Sequence, residues 1–297
     1  MHGQVTASPP NRGVLEVIVP EPGTVLRWHT HDFPAPSARW HHHPEAEFHL
    51  VRRGGGLMVA GDALVPFETG QVSLMGGGLP HNWISDLLPG EVLPGHDVVC
   101  QVLPSRVGTL AGVFPEMLPA VRVLARAARG TVLTGDAALV AAGVLERMGG
   151  HAPMERVVDL FTLFRVFAEA EDGEWHTVVT PGHLPDHSPD TAERLNTALA
   201  LVSDGLGSEL RLEDVADAVA MSPAAFSRFF HRAAGITFSD LVRRLRISRA
   251  CHLLVATDLP VSRIQEECGY SNASNFNRRS RQETGTTPSA YRRAHRG

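Results

Sequence analysis

The sequence contains no lysine; all 27 of its basic side chains are arginines. We read this as a compositional bias rather than as a mechanism. Cysteine is scarce as well. Cys100, Cys251 and Cys268 lie far apart and form no CxxC pair, which offers no evident thiol pair for a redox sensor and suits core-filling residues in a reducing compartment. No apolar run reaches the length that crosses a bilayer. The first residues, Met1-His-Gly-Gln-Val-Thr, lack the charged-then-apolar pattern of a secretion signal. These absences lead us to expect a cytoplasmic protein with no membrane partner.

What is present is an ordinary balance of 43% hydrophobic and 20% charged residues over 297 positions, enough for two domains with separate cores. The net charge of −5 hides an asymmetry. From Ser208 onward 14 Arg face 9 Asp and Glu, whereas the rest of the chain has 13 Arg against 23 acids. A basic C-terminal part on an acidic body is consistent with a nucleic-acid contact at one end.

That C-terminal part carries an internal repeat. Leu212, Val215, Ala216 and Val219 have helical spacing, Ser222-Pro223 is a helix start, and Phe226, Phe229 and Phe230 mark the buried side of a second helix. The order recurs from Val261: a striped helix, a turn at Gly269, a cap candidate at Ser271, and a polar helix. Phe226-Ser-Arg aligns with Phe276-Asn-Arg at a period of 50, and Gly235 with Gly285. Two short helices with a tight turn form a DNA-reading motif, and a long helix from Ser239 to Leu254 would fix the spacing of two such units. The first recognition helix would present Ala224, Ala225, Ser227, Arg228 and Arg232. The second, beginning near Asn272, would present Ala273, Ser274, Asn275, Asn277, Arg278 and Arg281. Small residues admit close groove approach, Asn can pair with adenine, and Arg with guanine or phosphate.

Residues 10–110 read differently, as short β-rich runs broken by Gly and Pro, suggesting a small barrel. Within them lies Trp40-His-His-His-Pro-Glu-Ala-Glu-Phe-His49. Residues two apart share a strand face, so His41 and His43 point together, and Glu45 and Glu47 keep that parity. A turn at Gly76-Gly-Gly-Leu-Pro delivers His81. His41, His43, Glu47 and His81 make a set suited to a divalent transition metal (zinc, nickel, iron or manganese). Equally, the same residues could hold a small ligand by hydrogen bonds alone. Trp40, Glu45, His49 and Trp83 are the expected lining of an effector pocket, although Trp40 and Trp83 also suit a core. Residues 111–178 read as a helical connector with a stripe at Val157, Leu160, Phe161, Phe164 and Phe167, a candidate dimer surface. Residues 179–190 read as a Pro/Gly linker and 191–297 as the DNA-binding domain.

Two resemblances follow. His41-x-His43-x3-Glu47-x6-Gly54 and Gly70-x5-Gly76-x-Gly78-x2-His81-x3-Ser85 resemble the two cupin motifs, with Ala35, Gly76 and Ser85 replacing the family's glycine, proline and asparagine. Met221-Ser-Pro-x-x-Phe-Ser-Arg-x-Phe230, Gly235-x-Thr-Phe238, Leu245-Arg-Ile, Gly269-Tyr-Ser, Ser274-Asn-Phe-Asn-Arg-Arg279 and Gly285-x-Thr-Pro288 resemble the AraC family of transcription regulators. Ser280 departs from that pattern, standing where an aromatic matching Phe230 is usual. The resemblance implies an α+β chain: a cupin-like sensor barrel, a helical connector and an all-α double helix-turn-helix domain. It implies a regulator, not an enzyme, with double-stranded DNA, a small-molecule effector, RNA polymerase and a second copy of the chain as partners. The alternative is a metal-dependent cupin oxygenase or isomerase fused to a DNA-binding domain.

Overall fold

The computed structural model describes residues 14–16, 18, 24–35, 38–85, 87, 91–183 and 188–295. The expected domain edge at residue 10 and residues 184–187 of the expected linker, His187 among them, lie outside the described residues.

Among the described residues nine strands come first: β1 (Val14–Leu15), β2 (Leu26–Phe33), β3 (His41–His42), β4 (Ala46–Val51), β5 (Gly56–Ala60), β6 (Ala63–Phe67), β7 (Val72–Met75), β8 (His81–Ser85) and β9 (Leu93–Val102). Most are two to six residues long, with Gly or Pro in many of the turns between them. Four helices follow, α1 (Pro104–Val113), α2 (Leu118–Ala127), α3 (Gly135–Met148) and α4 (Pro153–Glu169), with strands β10 (Thr131–Leu133) and β11 (Trp175–Thr177) set among them. The strands form a five-stranded sheet, β1-β3-β8-β5-β6, and a six-stranded sheet, β11-β10-β7-β4-β9-β2. The connector is therefore not purely helical. It returns two strands to the larger sheet, and its first helix already begins at Pro104.

Alternation along each strand sorts the side chains into layers. On β4, Phe48 and Leu50 join a core that includes Leu160, Phe164 and Phe167 of α4, so the connector helices cover the outer face of the larger sheet. On β5, Leu57 and Val59 point away from the sheet interior. Together with Trp40, Leu64 and Ile84 they form one core with the C-terminal helices. Between the sheets lie Val51, Met58, Ala60, Met75 and Trp83.

The C-terminal half is all helical: α5 (Pro189–Gly205), α6 (Leu212–Ala218), α7 (Pro223–Ala234), α8 (Phe238–Ala256), α9 (Val261–Glu267), α10 (Ala273–Thr284) and α11 (Pro288–His295). Ser222 caps α7 by accepting from the Ala225 N–H, and Gly235 ends it in the left-handed region at φ 68°. The second unit repeats both devices, with Gly285 at φ 74°. Its N-cap is Asn272 rather than Ser271, because the α9–α10 turn is one residue longer than the α6–α7 turn. The turns also differ in strain: Ala220 adopts φ 54° where the second unit has Gly269 at φ 71°.

Ser280 does not leave a hole. It is 3% exposed, and its hydroxyl donates to the Thr286 carbonyl at 2.9 Å. The second unit closes instead around Ile264, Cys268, Tyr270 and Phe276.

Candidate ligand site and nucleic-acid interface

The inner faces of the two sheets bring His41, His43, Glu47 and His81 together. His41 is paired directly with His81 across β3 and β8, and Glu47 with Gln101 across β4 and β9. One nitrogen from each of His41, His43 and His81 lies within 4.8 Å of the others.

The backbone fixes which nitrogen faces inward. The Nδ1 atoms of His41, His43 and His81 donate to the carbonyls of Arg39, Glu45 and Leu79 at 2.6, 3.0 and 2.7 Å. A carbonyl only accepts, so each Nδ1 carries the proton and each Nε2 points away from that carbonyl; His43 Nε2 meets Glu47 and His41 Nε2 lies 3.3 Å from Glu16 Oε2. Outer hydrogen bonds of this kind orient metal-binding imidazoles. His81 Nε2 is buried with no hydrogen-bond partner. Burial, and then the neighbouring His41, push the His81 pKa well below its usual value, which keeps a lone pair on that nitrogen.

Glu47 supplies the negative charge. Its Oε2 lies 3.0 Å from His43 Nε2 and accepts from Gln101 Nε2 at 2.8 Å, while its Oε1 is 3.7 Å from His81 Nε2. Burial alone would raise its pKa, but the hydrogen bond from His43 and the surrounding imidazoles outweigh this and hold it well below the usual range. Since His43 Nδ1 is already protonated, the bond from its Nε2 requires a cationic ring. Burial opposes that charge, Glu47 outweighs burial, and the His43 pKa is raised. A divalent cation can replace that proton. The donor set, the carbonyl-locked rings and the partnerless His81 nitrogen thus fit a metal at the three histidines with Glu47 beside it.

The cluster opens onto a small cavity of about 50 Å³, lined among others by His31, His49, Trp83, Asp97 and Gln101. Of the four residues expected to line it, His49 and Trp83 do, their rings stacked 3.9 Å apart. Trp40 does not. It alternates with His41, so its ring faces outward into the core shared with the C-terminal helices. Glu45 also lies off the cavity wall; its carbonyl accepts from His43 Nδ1 at 3.0 Å and its Oε2 lies 3.8 Å from the same nitrogen.

A second centre, around Asp97, was missed from the sequence. Its Oδ1 accepts from both the backbone N–H and the Nδ1 of His31, at 3.0 and 2.9 Å, and its Oδ2 lies 3.2 Å from His49 Nε2. These hydrogen bonds outweigh burial and hold the Asp97 carboxyl far below its usual range. The available signal was His29-x-His31 on one strand and Asp97 on another, but it needed the β2–β9 register, in which His31 faces Asp97.

Cys100 and Cys268 are buried, and burial pushes the Cys100 thiol up to about 12.

On the C-terminal half, Ala224, Ser227, Arg228 and Arg232 of α7 are exposed and Ala225 is half-buried. On and just before α10, Asn272, Ala273, Ser274, Asn275, Arg278 and Arg281 are exposed and Asn277 is half-buried. Asn272 has a structural task as well, since its Oδ1 caps the helix at Asn275 N–H. Asn277 donates to the Ala273 carbonyl, and Arg278 to Asn275 Oδ1. Phe226, Phe229, Phe230 and Phe276 are buried, so the polar faces of both helices point outward from apolar cores.

Residues 215–294 match the model of a helix-turn-helix domain. The regulatory protein PocR of Salmonella typhimurium is 38% identical over 99 residues, 33% of this chain and 33% of that protein. The HTH-type transcriptional activator RhaS of Escherichia coli is 30% identical over 114 residues, 38% of this chain and 41% of that protein. The chain therefore spans a third to two-fifths of the curated relatives it matches. Among solved structures, the C-terminal domain of AraT, a response regulator from Geobacillus stearothermophilus, is 30% identical. The match covers 36% of this chain and 86% of that one, at a TM-score of 0.33. The C-terminal half is an all-helical helix-turn-helix domain, and the N-terminal half is a strand-rich, mainly antiparallel domain.

Proposed function

We propose that the protein is a sequence-specific DNA-binding transcription regulator whose DNA affinity answers to what the strand-rich domain holds. One observation carries this reading: two helix-turn-helix units of one design, related by a 50-residue repeat and joined by α8, each presenting an exposed polar helix. Recognition helices held in this way can enter successive major-groove turns about 34 Å apart. Arg228 and Arg278 are the arginines best placed to pair with guanine or phosphate.

The sensor would be the cupin-like cavity. His41, His43 and His81 would hold a divalent transition metal with Glu47 beside it, and a small effector would occupy the space toward His49, Trp83 and Asp97. A bound metal supplies charge and open coordination positions for that effector. The protein's own residues lock the rings and hold the carboxylate ionised. A second copy of the chain would pack on α3 and α4, where Leu139, Val140, Met154, Val158 and Phe161 are exposed. Among the described residues no helix is long and apolar enough to cross a membrane, and the protein would work in the cytoplasm.

DNA binding at fixed salt tests the reading. Loss of binding to a selected site on Arg228→Ala and Arg278→Ala supports it. Unchanged affinity in both variants would remove the recognition faces from the account.

A further inference from the structure

The metal and effector reading leaves open how the strand-rich domain would inform the helical one, and a single peptide plane bears on it. The N–H of the Arg39–Trp40 peptide donates to Asn196 Oδ1 at 2.7 Å. The C=O of the same peptide accepts from His41 Nδ1 at 2.6 Å. A trans peptide is rigid and planar, with its N–H and C=O pointing in opposite directions. Turning that plane breaks both bonds together. Asn196 also holds the next peptide, since its Nδ2 donates to the Trp40 carbonyl at 3.0 Å.

The surroundings give this clamp leverage. Strand β3 is two residues long; it meets β8 at the single pair His41–His81 and β1 at the pairs Val14–His41 and Leu15–His42, so its own ladder is short. Asn196 lies on α5, whose Leu195 and Leu199 share one core with the Trp40 ring and with Phe226 and Phe230 of α7. The side chain that sets the peptide behind His41 therefore belongs to the helix packed on the first helix-turn-helix unit.

We propose that Asn196 is a positioning residue for the His41 imidazole, so that the cavity is completed by the DNA-binding half of the chain. This rests on the metal reading of the cluster. Through the peptide, the Asn196 amide orients the His41 ring and polarises its Nδ1–H, which raises the donor strength of Nε2. Linkage makes the effect reciprocal: whatever draws His41 toward a bound metal strengthens the hold of Trp40 on α5.

Zn(II) titration of the full chain by calorimetry tests the proposal, with Asn196→Ala, Asn196→Asp and His81→Ala. Asn196→Asp keeps the acceptor for the Trp40 N–H and loses the donor to its carbonyl. We expect Zn(II) affinity to fall roughly tenfold in Asn196→Ala, as for other outer-shell partners, and to be largely retained in Asn196→Asp. In the wild type, Zn(II) should slow hydrogen exchange in α5; in Asn196→Ala, exchange there should no longer respond to Zn(II). Wild-type Zn(II) affinity in Asn196→Ala would overturn the proposal. If the wild type itself takes up no Zn(II), the metal reading fails, and a double-mutant cycle of His41→Ala and Asn196→Ala on thermal unfolding decides the positioning role. Non-additive losses support it, and additive losses overturn it.

Discussion

His41 faces His81 across the β3–β8 pair, with ring centroids 4.5 Å apart and ring planes at 66°. Both Nδ1 atoms are tied to carbonyls outside the cluster, so the two Nε2 atoms share one small space with His43. Zn(II) or Ni(II) at a hundredfold excess over its dissociation constant should stabilise the fold by about 2.7 kcal/mol. Differential scanning calorimetry measures this, and a chelator should reverse it. The metal-dependent shift should vanish in His81→Ala; a persisting shift would place the metal elsewhere.

The two equivalent glycines of the repeat separate backbone strain from domain docking. A Cβ on Gly285 would meet nothing within 4 Å, so Gly285→Ala should cost only the left-handed penalty, about 1–2 kcal/mol. A Cβ on Gly235 would fall 1.6 Å from the Asp62 carbonyl oxygen in the β5–β6 turn. Gly235→Ala must therefore also push the first helix-turn-helix unit off the smaller sheet. Thermal unfolding should show the larger loss for Gly235→Ala, with faster limited proteolysis between the halves. Equal losses would mean that this contact contributes nothing.

Restoring the repeat at position 280 should do harm. Ser280 is buried, and its hydroxyl serves the Thr286 carbonyl. Ser280→Ala should cost about 0.5–1.5 kcal/mol for the lost hydrogen bond. Ser280→Phe should cost more, about 1–3 kcal/mol from overpacking, although it matches Phe230. Urea midpoints measure both, and a stabilised Ser280→Phe would show that the second core has room to spare.

Acid should weaken the strand-rich domain, in part through His29. Burial, then the neighbouring His31, depresses its pKa from 6.5 to about 4, and both ring nitrogens are buried without partners. The unfolded chain takes up this proton below pH 6.5, whereas the folded chain does so only near pH 4. Stability is therefore lost as pH falls through that window, by roughly 3 kcal/mol at most. His29→Phe should flatten the stability profile between pH 6.5 and 4. An unchanged slope would place the acid sensitivity on other groups.

Local pattern carried the helices, the repeat and the Ser222 cap, because each depends on neighbours within one turn. Strand parity carried His41, His43 and Glu47 to one face. Applied one residue earlier, the same parity turns Trp40 outward, away from the pocket. The Asp97 centre and the clamp on Trp40 depend on pairings across 66 and 156 residues, which no local pattern encodes. Strands β10 and β11 were concealed for a related reason: three-residue strands leave too short an alternation to read among alanine-rich helices.

The most direct test of the central claim is selection of binding sites by the full chain from a random duplex library at fixed salt. Affinities of the selected and scrambled sites are then compared. The account predicts an enriched pair of short motifs about one helical turn apart, read by α7 and α10. Arg228→Ala should weaken the selected site by about 1–3 kcal/mol while changing the scrambled site less. Equal affinity for both sites, or no enriched sequence, would contradict the claim that this protein reads DNA sequence.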